Sequence, residues 1–200
     1  MNALSNLTGE IFNYLSQGGF VMIPLMGCSF IMWTLIIDRV LFFSRLEKQD
    51  IELHALVRIM EKGRLPEKVR GIRANLVRHT MANRTRNTTV DKGIVDQCAM
   101  AMVPYLDRYL AAIAVLAAVS PLFGLLGTVT GMITTFDVIT LFGTGNAKAM
   151  AGGISEALVT TQSGLVVSIP GFFMSVLLYK QSARCKSRLT EAVSILKRSL

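Results

Sequence analysis

Two uncharged stretches constrain this chain more than anything else in it. From Tyr109 to Phe136 and from Ala157 to Tyr179 there is no Asp, Glu, Lys or Arg. The first contains LFGLLGTVTGMITTF from Leu122 to Phe136; the second reads ALVTTQSGLVVSIPGFFMSVLLY. A helix needs roughly 20 residues to cross a hydrocarbon core of ~30 Å, and both stretches are longer than that. A helix in a soluble protein turns one face to water and carries charge there; these do not. A third apolar run, Phe20 to Ile37, precedes them. The pattern predicts an all-α integral membrane protein with three transmembrane helices and long helices extending into the cytoplasm.

The charges say which way the chain crosses. The net charge of +8 would suit a nucleic-acid partner if it formed one patch with interleaved aromatics. Instead, of 21 Lys and Arg, 14 lie between Arg39 and Arg108, six between Lys180 and Arg198, and only Lys148 falls between the last two apolar stretches. Basic flanks stay in the cytoplasm. Nucleic acid is therefore excluded as a partner, membrane lipid is expected as one, and the organisation follows. An outside amphipathic segment covers 1–19, a first span 20–38, a cytoplasmic helical region 39–107 and a second span 108–139. A short outside loop covers 140–153, a third span 154–180 and a cytoplasmic C-terminal helix 181–200. The first 18 residues lack the basic start of a cleavable signal, so the first span reads as an uncleaved anchor.

Between the spans the apolar spacing predicts helices. Leu4, Leu7, Ile11 and Leu15 suit a short surface helix, ended by Gly18-Gly19. Ile51 to Met60 suits an amphipathic helix, closed by Gly63, with a restart near Pro66 continued by Val69, Ile72, Leu76 and Val77. A turn is expected at Arg84–Thr89. The stripe Val90, Ile94, Val95, Cys98, Met102 and Leu106 then runs without a stop signal into the second span. It reads as one long helix, with Pro104 as a bend.

The polar residues inside the second and third spans are small. Gly124, Gly127 and Gly131 share a sector of one helix, where small residues let a neighbour approach closely. Thr128 and Thr135 lie seven apart on nearly one face. Thr161, Gly164 and Ser168 form a matching stripe on the next span. Pro121 and Pro170 each free a backbone carbonyl one turn earlier. Two readings stand for the hydroxyls: packing between helices, or holding water or an ion in transit. Neither span has an acid at mid-depth, so a titrating group would have to come from another chain. Glu156 and Asp137 sit at the outer ends, Glu156 in an expected first helical turn where the dipole favours it. Cys28, Cys98 and Cys185 lack metal-ligand spacing and read as inert thiols. His54 and His79 offer no nucleophile–base set, so neither an enzyme nor a cofactor is expected.

These residues resemble the MotA/TolQ/ExbB proton-channel family, nearest to its ExbB and TolQ branch. The resemblance is carried by SPLFGLLGTVTGM (Ser120 to Met132), GGISEALVTTQSGLVVSIP (Gly152 to Pro170) and DRVLFFSRL after the first span. It implies a homo-pentamer in the bacterial inner membrane, with a periplasmic N-terminus and a cytoplasmic C-terminus. Its second and third spans would line a pore. The pore would hold an ExbD- or TolR-like single-span protein whose intramembrane Asp carries the proton, and the work would pass to a TonB- or TolA-like protein. By motif position Thr128 and Thr161 match the family's pore threonines and Glu156 its pore-mouth glutamate. Thr135 and Ser168 extend that ion path, while Gly124, Gly127, Gly131, Gly164, Pro121 and Pro170 serve helix packing. The third span is more polar than the family's pattern at Thr160, Gln162 and Ser163, which leaves sodium beside the proton as the transported ion. The alternatives are a TolQ-like subunit of the Tol-Pal envelope system and a passive membrane scaffold.

Overall fold

The structure, a computed structural model, describes residues 14, 17–48, 50, 71–85 and 87–199. They form α1 (Met22–Lys48), α2 (Ile72–Ala82), α3 (Thr88–Asp107), α4 (Leu110–Phe142) and α5 (Ala147–Ser199), with a 3-10 turn at Gly143–Gly145 joining the last two. The expected N-terminal helix carrying Leu4, Leu7, Ile11 and Leu15 lies outside the described residues. So does the expected helix Ile51 to Met60 with Gly63, Pro66 and Val69. Stretches within Met22–Glu47, Thr88–Gly145 and Ala147–Arg198 are long and apolar enough to cross a membrane. The residues divide into two compact units, 1–35 with 112–175, and 36–111 with 176–200.

In the first unit α4 and α5 run antiparallel with almost no side chain between them. From Ala117 onward, buried positions on α4 fall at Ala117, Ser120, Gly124, Gly127, Gly131 and Thr135. Those on α5 fall at Gly153, Ala157, Thr160, Gly164, Ser168, Gly171 and Ser175. Each series steps by three or four residues, the period of one helix face, and every member is small. A methyl group added at Gly131 would lie 2.6 Å from the Gly153 carbonyl oxygen, and one at Gly164 would lie 2.9 Å from that of Ser120. A methyl at Gly171 would meet the Met32 sulfur of α1 at 2.5 Å. Met32 is fully buried there. α1 itself starts at a turn through Gly19, whose φ of +64° suits glycine. Pro24 sits in the helix's first turn, where no N–H is needed.

Two expectations about the connections change. The loop foreseen at 140–153 contracts to four residues, 143–146, where Asn146 Oδ1 accepts from the Ala149 N–H at 3.1 Å. Gly152 and Gly153 read as loop glycines in sequence, yet both are helical. Gly153 is needed against Gly131 and Thr135, where a methyl would not fit. α5 then continues unbroken through 53 residues, or about 80 Å at ~1.5 Å per residue, so no separate C-terminal helix exists.

The second unit follows the physics of a soluble bundle. Ile72, Leu76, Val77, Val95, Leu106, Leu178, Leu189 and Leu196 are almost wholly buried. Ion pairs ring them: Arg73–Glu191 at 3.1 Å, Arg188–Glu47 at 3.2 Å and Lys197–Asp96 at 2.6 Å. Partly exposed pairs contribute about 0–1 kcal/mol each, so the apolar core supplies most of the stability. The turn between α2 and α3 falls where the sequence predicts it. Asn87 caps α3 by accepting from the Thr89 N–H at 3.2 Å. Buried Asp91 accepts from the Thr85 N–H at 2.8 Å and from its hydroxyl at 2.9 Å.

α3 does not run on into α4 as one helix. It passes through Pro104 and stops at Asp107; Tyr109 then takes a positive φ of 66°. That conformation costs a non-glycine residue about 1–2 kcal/mol. Arg39 explains how the break is held. Its guanidinium is buried, donates to the Tyr105 carbonyl at 3.1 Å, and lies 4.7 Å from the Phe42 ring and 5.2 Å from the Tyr109 ring. In an unbroken helix the Tyr109 N–H would bond that carbonyl; here the arginine takes its place.

Thr85's backbone N–H holds the Asp91 carboxyl below the usual carboxylate value. The hydrogen bond from the Lys186 ammonium, helped by Ser182, does the same for Asp107. An unfolded aspartate titrates near pH ~3.9. Stability from groups with depressed folded values is complete above that pH and disappears as pH falls through the folded values. Melting temperatures followed from neutral pH into acid should therefore drop below about pH 4. Asp107→Asn should lower the neutral-pH midpoint and shrink the acid drop; an acid drop of unchanged size would exclude Asp107 from it.

Candidate functional site

The hydroxyls of α4 and α5 share one local rule. Most of those between residues 120 and 168 donate to a carbonyl, usually one turn back on the same helix, as helical Ser and Thr do in apolar surroundings. Thr128 donates to Leu125 at 2.6 Å, Thr135 to Gly131 at 3.0 Å, and Thr160 to Glu156 at 2.9 Å. Two hydroxyls reach across instead. Thr161 donates to the Gly124 carbonyl at 3.2 Å as well as to Ala157 at 3.0 Å. Ser168 donates to the Ala117 carbonyl at 2.9 Å.

The Ser168 bond has a specific cause. In a regular helix the Ala117 carbonyl would receive the N–H of residue 121, but that residue is proline and has none. An unmatched carbonyl in an apolar setting costs several kcal/mol. Ser168 on the neighbouring helix supplies the missing donor. Pro121 and Ser168 thus form a matched pair across the contact, a link that their spacing in the sequence does not reveal.

The expected ion-path residues separate into two groups. Thr128 and Thr161 are half-buried, and Thr161 sits against Gly124, one turn before Thr128 on α4. Their protons are committed, but each oxygen keeps lone pairs that can accept a hydrogen bond or face a cation. Thr135 and Ser168 are 4% and 3% exposed. They lie between helices of one chain rather than on an open surface. Among the packing residues, Gly124, Gly127, Gly131 and Gly164 all lie in the contact, while Pro121 and Pro170 are half-buried beside it.

Glu156 departs from expectation. Because α5 starts at Ala147, Glu156 lies inside the helix and not in its first turn, so the helix dipole is not what holds it. Its carboxyl instead rests against the backbone of Gly19. A side chain at Gly19 would collide with Glu156 Oε1 and lie 2.7 Å from its Cδ. In sequence Gly19 reads only as a helix breaker. Thr160, likewise, reads as flanking, yet it is fully buried against Gly127. Following the small residues at three- and four-residue steps from Gly153 to Ser175 would have found Thr160.

The sequence pattern of the MotA/TolQ/ExbB proton channel family matches residues 67–191. The chain belongs to that family. Among similar proteins, the ExbB-like biopolymer transport protein 3 of Synechocystis is 32% identical over 161 residues, covering 76% of this chain and 77% of the relative. ExbB-like protein 1 of the same organism is 34% identical over 181 residues, covering 81% and 68%. The biopolymer transport protein ExbB of Neisseria meningitidis serogroup A is 30% identical over 171 residues, covering 76% and 77%. Family membership and three membrane-length apolar stretches make this a multi-pass membrane protein of a proton-channel and transport family, not of a known enzyme family. The region matched to the family holds Pro121, Thr128, Glu156, Thr161 and Ser168; Gly19 and Arg39 lie outside it.

Two predictions follow from the contacts. Ser168→Ala should lower stability in detergent by about 1 kcal/mol, read as a shift in thermal midpoint. Adding Pro121→Ala should recover most of the loss, because the change gives Ala117 its own helical N–H; fully additive losses would refute the pairing. Gly19→Ala should destabilise more than Gly143→Ala. Both glycines have positive φ, but only Gly19 faces an obstacle. Glu156→Ala should rescue the first variant and leave the second unchanged. Equal midpoints for the two glycine variants would discount the Glu156 contact.

Proposed function

We propose that this chain is the ExbB-like subunit of an inner-membrane motor driven by the proton gradient. In this reading five copies surround a pore lined by α4 and α5. The pore holds an ExbD- or TolR-like single-span protein, and the motion it drives energises a TonB-like protein for outer-membrane transport. The N-terminus faces the periplasm; the basic unit that includes α2 and α3 faces the cytoplasm. Family membership supports the ion, and relatives named for biopolymer transport support the task.

One observation carries the reading: Thr161 and Thr128 keep acceptor lone pairs on a helix pair with no carboxylate between residues 110–136 or 157–179. A hydroxyl whose proton is already given to a carbonyl cannot relay a proton alone. It can accept from a protonated acid or hold a hydrated cation. The acid must then come from a second polypeptide, whose carboxyl gains and loses the proton as it passes. Glu156, half-buried at the outer end of this path, attracts the incoming cation. One charge crossing 100 mV releases about 2.3 kcal/mol, enough for a stepwise stroke when several are coupled. Gly124, Gly131 and Gly164 hold α4 and α5 close enough to act as one wall.

Proteoliposomes containing this chain and its single-span partner test the proposal through proton flux. Thr161→Val keeps the shape and removes the acceptor, so it should abolish partner-dependent flux while assembly persists. Thr161→Ser should retain most of it. Wild-type flux in the valine variant would reject the assignment. Equal flux with and without the partner's acid would reject the two-chain path.

A further inference from the structure

At residues 107–110 the chain holds two backbone preferences that exclude each other. The first is helical. The buried positions Leu106, Leu110, Ile113 and Ala117 keep three- and four-residue steps through the break between α3 and α4. No glycine or proline falls between Tyr105 and Ser120. In a continuous helix the Tyr105 carbonyl would receive the Tyr109 N–H. The second preference is the turn that the structure adopts. Arg108 has φ −54° and ψ 131°, and Tyr109 has φ 66°. These are the angles of the two central residues of a type II turn, whose second place favours glycine. A ψ so far from the helical value rotates the Tyr109 N–H away from the Tyr105 carbonyl. Among the described residues, no backbone carbonyl accepts that N–H.

A permanent turn would form most easily with glycine at its second place. Tyrosine there makes the turn depend on its side chain. The Tyr109 ring centroid lies 4.6 Å from the Arg108 guanidinium and 5.2 Å from that of Arg39, and Arg108 Nη2 donates to the phenol oxygen. Arg39 Nη1 meanwhile supplies the Tyr105 carbonyl with the donor that the turn removed, at 3.1 Å. Asp38 Oδ2 fixes the same guanidinium by accepting from its Nε and Nη2 at 3.1 and 3.0 Å. One buried side chain thus offsets both costs of the turn: the lost helical donor and the strained φ. Without it the carbonyl and the ring both lose a partner, and the helix becomes the better state. The place matters as well. The chain passes between its two units near residues 35, 111 and 175. α1 and α5 run through the first and last without a break, while the passage at 111 lies two residues past Tyr109.

We propose that residues 107–110 are a two-state joint with Arg39 as its latch. Latched, α3 and α4 are separate helices, and bending is absorbed at Tyr109. Unlatched, Arg39 leaves the Tyr105 carbonyl, Tyr109 returns to a helical φ, and one helix runs from Thr88 to Phe142 as a single rod. The wild type favours the latched state. The joint does not rest on ion flow, so loss of flux neither supports nor opposes it.

The test is residue-level amide hydrogen exchange on the full chain in lipid nanodiscs, with each rate compared with the intrinsic rate of its own sequence. The Tyr109 amide should exchange freely in the wild type. In Arg39→Met it should slow by about tenfold or more, the scale set by losing a charged hydrogen bond, while α2 stays protected. An arginine that only stabilised the fold would do the opposite, since its loss would speed exchange. Adding Tyr109→Gly to Arg39→Met should restore fast exchange at residue 109, because glycine holds a positive φ with no latch. Protection of Tyr109 in the wild type would overturn the proposal, as would unchanged or faster exchange in Arg39→Met, or slow exchange that persists in the double variant. If Arg39→Met loses the protection of α2, Tyr109→Ala decides, since it removes the ring and leaves the arginine. Slowed exchange at residue 109 then supports the joint, and unchanged or faster exchange overturns it.

Discussion

The approach of α4 to α5 is the constraint on which this structure depends. In lipid, apolar side chains gain little by leaving the hydrocarbon for one another, so helices associate through close packing and hydrogen bonds. Here the closeness comes from missing side chains: Gly131 lies over Gly153, Gly124 over Thr161, and Gly164 over Ser120. The bonds come from what that closeness permits. Ser168 reaches the carbonyl freed by Pro121, and Thr161 reaches Gly124. With larger residues at these positions both bonds would lengthen past usefulness, and the proline would leave a bare carbonyl in an apolar setting.

The same contact divides the hydroxyls by their surroundings. Thr135, Thr160 and Ser168 are buried between the helices, where Ser168 bonds across to Ala117 and the two threonines bond carbonyls of their own helices. Thr128 and Thr161 are only half-buried; Thr128 bonds its own helix, and Thr161 bonds both its own helix and the Gly124 carbonyl opposite. Successive residues around a helix simply meet different neighbours. Glu156 belongs to a third category, since its neighbour is the turn that starts α1.

The unit with α2 and α3 rests on other forces. Its core is Leu, Ile and Val, its rim is ion pairs, and its one unusual device is Arg39. A buried guanidinium is costly unless its donors are used. This one bonds Asp38 and the Tyr105 carbonyl and stacks on two rings. It thereby ends α3 where sequence periodicity alone would let the helix run on.

The sequence by itself pointed to a membrane protein, to three membrane-length apolar stretches and to the family. Those depend on long averages, such as 28 uncharged residues from Tyr109 to Phe136, 23 from Ala157 to Tyr179, and the placing of 21 basic residues. Such averages survive local error. It also marked the glycines and prolines, because few other roles put them inside an apolar helix. Only the tertiary structure decided which hydroxyl faced which carbonyl, that α3 breaks before α4, that Gly153 is helical, and that Gly19 meets Glu156. Each depends on two segments far apart in the chain meeting within about 3 Å, the reach of a hydrogen bond. Periodicity along one segment carries no information about the partner opposite it.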